Sequence, residues 1–128
     1  MADTEKVTIN MSVVDLGQVD LLVEQGFYSS RTDFIRTAIR RQLDLHADEV
    51  RQTVTRKTLA IGAVVYERQE LERIREAGEM RDVRVVGLVV INNDVPAELA
   101  RATIRSLEVH GVLRASNEVK AALADRMK

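Results

Sequence analysis

Lys6-Val7-Thr8-Ile9-Asn10-Met11 alternates polar and apolar residues without a break, and this short run constrains the fold more than any other feature of the chain. A period of two, rich in β-branched residues, predicts a strand that sends Val7, Ile9 and Met11 to one face and Lys6, Thr8 and Asn10 to the other. A single strand of this length has open edges and an apolar face that a pair of helices cannot fully cover. Antiparallel pairing with its own copy removes both problems, so the sequence calls for a dimer.

Two capped helices follow. Ser12 is placed to cap a helix running to about Gln25, with Asp15 three positions on in a capping-box-like start. Leu16, Val19, Leu22 and Val23 share a face of it, Gly17 weakens it, and Gly26 supplies the stop. After Phe27-Tyr28, Ser29-Ser30 precede a second helix from about Arg31 to Leu45, with Asp33 in its first turn. Phe34, Ile35, Ala38, Ile39 and Leu43 are expected as its inner stripe, with Arg36, Arg40 and Arg41 on the other faces.

Residues 46–58 are polar and of mixed charge, which suits either a connector or an extension of the helix. Beyond them, β-prone runs alternate with helix-like ones, the pattern of a small α/β module over 59–128. Strands are expected at Ala60–Tyr66 and Val83–Ile91, and helices at Glu67–Met80, from Ala97 to about Thr103, and after a cap at Ser116 or Asn117. Gly62, Gly87 and Gly111 each sit in an apolar run followed by a helical stretch, at a spacing of about 24 or 25 residues. That spacing admits a reading as three strand-helix repeats stacking a parallel sheet. On it Leu107–Leu113 is a strand; otherwise it prolongs the preceding helix.

Taken in order, strand, capped helix, glycine-aromatic turn and serine-capped helix resemble the ribbon-helix-helix family, which includes the Arc, MetJ and CopG repressors, and the CopG-like branch above all. The resemblance is carried by Lys6–Met11 and by the stretch from Gly26 to Arg40, about one third of the chain. It implies an α+β fold: an N-terminal ribbon-helix-helix intertwined dimer over 1–45, a connector or helix extension over 46–58, and the C-terminal α/β module over 59–128 for oligomerisation or effector sensing.

The resemblance also implies roles. Lys6, Thr8 and Asn10 would read base edges from a two-stranded ribbon in the major groove, where lysine suits guanine, asparagine suits adenine, and threonine offers a hydroxyl and a methyl. Ser29, Ser30, Arg31 and Thr32 would hold phosphate at the start of the second helix. Val7, Ile9, Met11, Leu16, Val19, Leu22, Phe34, Ile35, Ala38 and Ile39 would form the dimer core.

A net charge of −1 argues against a broad cationic surface that coats nucleic acid, so specificity must come from locally placed groups. No cysteine is present, which removes disulfides, thiolate metal sites and cysteine nucleophiles. Nickel-responsive members of the family carry a sensing domain in this place, but here only His46 and His110 could serve as histidine ligands, so no metal or other cofactor is expected. No nucleophile-base pair, phosphate-cradling loop or paired-carboxylate spacing points to an enzyme; Asn92-Asn93-Asp94 reads as a turn. The N-terminus lacks the order of a signal peptide and no run suits a membrane span, so a cytoplasmic protein is expected.

The function expected is a transcriptional repressor that binds double-stranded DNA as a homodimer, or as a tetramer or larger assembly through its C-terminal module. Two alternatives use the same N-terminal unit: an antitoxin whose C-terminal part wraps a toxin, and a DNA-organising or plasmid-partition protein. An antitoxin tail is commonly charged and disordered until bound, whereas residues 59–128 have the apolar content to fold alone.

Overall fold

The computed structural model describes residues 4–128, which divide into two units: Lys6–Thr53, and Val54–Lys128 with Thr4 and Glu5. The first unit holds helices α1 (Val13–Glu24) and α2 (Arg31–Leu45) and most of α3 (Ala47–Lys57). Residues 46–57, whose sequence left the choice open, are therefore helical, with a break from α2 at His46. Asp48 and Glu49 in the first turn of α3 and Arg56 and Lys57 in its last complement the helix dipole, which helps a helix with no buried residue.

The second unit runs β1 (Ala60–Tyr66), α4 (Arg68–Glu76), β2 (Arg81–Ile91), α5 (Ala97–Thr103), β3 (Ile104–Arg114), α6 (Asn117–Leu123) and a closing 3-10 turn, Ala124–Arg126. The strands form one parallel sheet in the order β1-β2-β3. Leu107–Leu113 thus lies within a strand. The helix expected over Glu67–Met80 is shorter than its sequence suggested. It stops at Glu76 because Gly78 takes a left-handed φ of 68°, which ends the helix and releases the chain into β2.

Leu71 and Ile74 from α4, Leu99 and Ala100 from α5, and Val119 and Leu123 from α6 share one core with Val83, Val85, Val89 and Ile91 of β2 and Leu107 of β3. All three helices therefore cover the same face of the sheet, as consecutive crossovers of one hand require. Each fully buried Leu, Ile or Val contributes about 1.5–3 kcal/mol.

Gly62, Gly87 and Gly111 occupy one row across the sheet, in register. Their φ values are 139°, 137° and 131°, a conformation that side chains oppose. A Cβ on Gly87 would stand 2.1 Å from the carbonyl oxygen of Gly62, and one on Gly111 would stand 2.1 Å from that of Gly87. Gly87 and Gly111 are thus where neighbouring backbones come too close for any other residue, whereas at Gly62 the space is open and only the backbone conformation favours glycine.

The sheet's other face carries Ile61, Ala63 and Val65 from β1, all exposed, beside Val86, Val90 and Val112, which are partly exposed. Leu88 is buried on this face, and Lys57 at the end of α3 reaches it, its carbonyl accepting from Arg84 at 3.2 Å and its Nζ donating to Glu108 at 3.3 Å, while Ile61, Ala63 and Val65 stay exposed.

Candidate nucleic-acid interface

The N-terminal unit is built on two well-capped helices that bury very little. Ser12 Oγ accepts from the Val14 amide at 3.2 Å and starts α1. Gly26, at φ 88°, turns the chain after Gln25, and Tyr28 packs edge-on against Phe34 with ring centroids 4.9 Å apart. At the start of α2, Ser30 Oγ accepts from the Asp33 amide at 3.0 Å while Asp33 Oδ2 accepts from the Ser29 amide at 2.9 Å. This pair resembles a capping box, with the carboxylate returning to the amide one residue before the cap. Among the described residues, the amides of Arg31 and Thr32 have no acceptor, so the helix start offers two unpaired donors.

Arg31 also has a role that the sequence did not disclose. Its guanidinium grips Asp20 of α1 with two hydrogen bonds, Nε to Oδ1 at 2.8 Å and Nη2 to Oδ2 at 2.9 Å. Those bonds hold the Asp20 carboxyl below its ordinary range and tie α1 to α2. The partners stand on separate helices, so only the turn at Gly26 brings them together, and no local pattern announces the pair. Nη1 of Arg31 remains available to a further acceptor.

Lys6, Thr8 and Asn10 are exposed, and so are Val7 at 79% and Ile9 at 65%. The strand expected over Lys6–Met11 is not formed: the segment pairs with no strand among the described residues and takes no regular secondary structure, since a ladder needs a partner. Of the residues expected in a dimer core, Val19 alone is buried; Met11, Leu16, Leu22, Phe34 and Ile35 are half-buried, and Ala38 and Ile39 are exposed. The stripe expected to face inward on α2 therefore does not face a core of its own chain. Met11, Val19, Leu22 and Phe34 instead line an open groove. Ser29, Ser30, Arg31 and Thr32 are all exposed and come together at the start of α2.

Arg36, Arg40 and Arg41 are exposed on α2. Among the described residues, no cluster of three or more His, Asp or Glu side chains is arranged to hold a metal ion, and no helix is long and apolar enough to cross a membrane.

Two capped helices after an exposed alternating segment define a class of regulator, and comparison with known proteins gives the family. The chain belongs to the ribbon-helix-helix transcriptional regulator family, whose model matches residues 2–120 and so spans both units. It is similar to the transcriptional regulator CdrS of Halobacterium salinarum, at 33% identity over 45 residues, which is 35% of this chain and 82% of the relative. No solved structure matches the chain.

Proposed function

We propose that this chain is a sequence-specific DNA-binding repressor that acts in the cytoplasm as an intertwined homodimer. One observation carries the reading: a family member displays an unpaired segment with Lys6, Thr8 and Asn10 alternating with exposed Val7 and Ile9, on a unit whose single buried side chain is Val19. Antiparallel pairing of two such segments satisfies their backbone groups and closes Val7, Ile9 and Met11 over the helices of both chains. The opposite face of the ribbon then meets base edges in the major groove.

In this reading Ser29, Ser30, Arg31 and Thr32 anchor phosphate through the unpaired amides at the start of α2, the serine hydroxyls and the free Nη1 of Arg31. Asp20 fixes the guanidinium in place, the two forming a net-neutral pair. Residues 1–45 bind DNA and dimerise, α3 links them to the second unit, and residues 59–128 assemble dimers into tetramers or larger species on an operator of inverted or direct repeats. The well-packed core of the second unit favours a regulator over an antitoxin with a disordered tail.

Binding titrations on operator and random DNA test the proposal. Asn10→Ala and Thr8→Ala should each cost about 1 to 3 kcal/mol of discrimination, by loss of affinity for operator alone. Arg31→Ala should weaken binding to every sequence and flatten the salt dependence. Unchanged discrimination in both ribbon variants removes these residues from the interface.

A further inference from the structure

We infer that β1 is a two-fold assembly edge, pairing antiparallel with β1 of a second copy about an axis through Ala63. The inference rests on the reading of the C-terminal unit as an assembly module and names the surface that does the assembling.

The two margins of the sheet differ. β3 has its outer edge partly closed: Met127 bridges to Leu107, and the Lys128 amide donates to the Leu107 carbonyl at 2.9 Å. Along β1, the other margin, no strand pairs with the outer edge among the described residues. An open edge is normally guarded by charge, proline or a covering element. β1, Ala60-Ile61-Gly62-Ala63-Val64-Val65-Tyr66, has no charged residue and no proline, whereas β2 carries Arg81, Asp82 and Arg84 and β3 carries Arg105, Glu108 and Arg114.

The composition fits a second copy in particular. Across a two-fold axis the central residue meets its own copy and its neighbours lie near theirs, so a self-pairing strand is best without charge at its middle, where β1 has Gly62, Ala63 and Val64. An axis at Ala63 uses all seven residues of β1 and sets Ile61 opposite Val65, in both directions. Ile61 and Val65 are 71% and 50% exposed, and both lie on the sheet face opposite the helix-packed core. Registers centred one residue either way set Ile61 opposite Glu67 or Ala63 instead and lose that match. Pairing at Ala63 makes a six-stranded sheet with two apolar side chains locked against their counterparts.

The chain has no cysteine, so single-cysteine variants of the full-length protein test this directly. Directly opposed residues of an antiparallel pair lie about 4.5 to 5.5 Å apart, within disulfide reach. Ala63→Cys should therefore convert mostly to a covalent dimer under mild oxidation. Val86→Cys, on the same face of β2, would lie three strand spacings across and four residues along from its copy, about 20 Å away, and should stay uncrosslinked. Ala102→Cys, exposed on α5, should stay uncrosslinked too.

Adding Ile61→Lys and Val65→Lys to Ala63→Cys should reduce the cross-link at least tenfold, with circular dichroism confirming the fold. Hydrogen exchange of the unmodified protein supplies an independent readout, in which β1 amides should be protected as strongly as those of β2. Cross-linking at Val86 and not at Ala63 would mean that the sheets stack face to face, and overturns the inference. If the unmodified chain sediments as an oligomer while Ala63→Cys stays uncrosslinked, edge pairing fails and assembly runs through another surface. If it sediments as a monomer, edge pairing and the dimeric reading both fail.

Discussion

Gly87 and Gly111 show how far one missing side chain can decide a fold. With a neighbouring carbonyl oxygen 2.1 Å from where a Cβ would sit, Gly87→Ala or Gly111→Ala must push β-strands apart, and either should cost 3 kcal/mol or more, roughly, in denaturant unfolding. Gly17 is the opposite case, because it lies inside α1 with no atom within 4 Å of a built Cβ. Gly17→Ala should stabilise by about 0.5–1 kcal/mol in the same experiment. Asp82 gives the clearest response to acid. Two bonds from Arg105, at 3.2 and 2.8 Å, and one from Ser106 Oγ at 2.6 Å hold its carboxyl far below the ordinary carboxylate range. A pKa lower in the folded chain than in the unfolded one stabilises above the unfolded value and is lost as pH falls toward the folded one. The melting temperature of Asp82→Asn should therefore lie below that of the unmodified protein at neutral pH, with the gap narrowing below about pH 4. Added salt should shrink the gap as well, since the pair is exposed to solvent.

Caps fix where the helices begin. Ser116 Oγ accepts from the Val119 amide at 3.2 Å, so Ser116→Ala should cost about 1 kcal/mol of stability through the loss of one cap on α6. Such serines made α1, α2 and α6 legible before any coordinates, and the limits expected for α2, Arg31 to Leu45, are those observed. α3 was harder to read, since its apolar face is only Ala47, Val50 and Val54, too thin a stripe to stand out; the sorting of acids to its start and bases to its end marks it better. β3 was ambiguous for a different reason. α5 passes into it with no intervening turn, Ile104 serving at once as the helix's last cap and the strand's first residue, so no glycine or proline signals the change. The candidate interface divided in the same way. Its alternating ribbon segment and its serine cap are local patterns, whereas the Asp20–Arg31 pair joins two helices and needed their packing to appear.

Most of the N-terminal apolar side chains lie in solvent, which supports the proposed dimer. Val7, Ile9, Leu21, Phe27, Ile39 and Leu43 are all exposed there, and a partner that covers them binds the folded state only. The melting temperature should therefore rise with protein concentration, and one independent of concentration over two orders of magnitude would exclude coupled folding and association. Assembly was legible only as a need, since sequence shows that a strand lacks a partner but not which copy supplies it. Met127 and Lys128, lying along β3, bear on how far assembly can go. A subunit with one adhesive margin makes a closed pair and stops; a subunit with two joins neighbours on both sides and has no natural end point. Removing these two residues should turn a protein of fixed size into one that polymerises into ribbons, visible as growing light scatter and dye-binding fibrils. Met127 and Lys128 would then stand between a regulator and an aggregate.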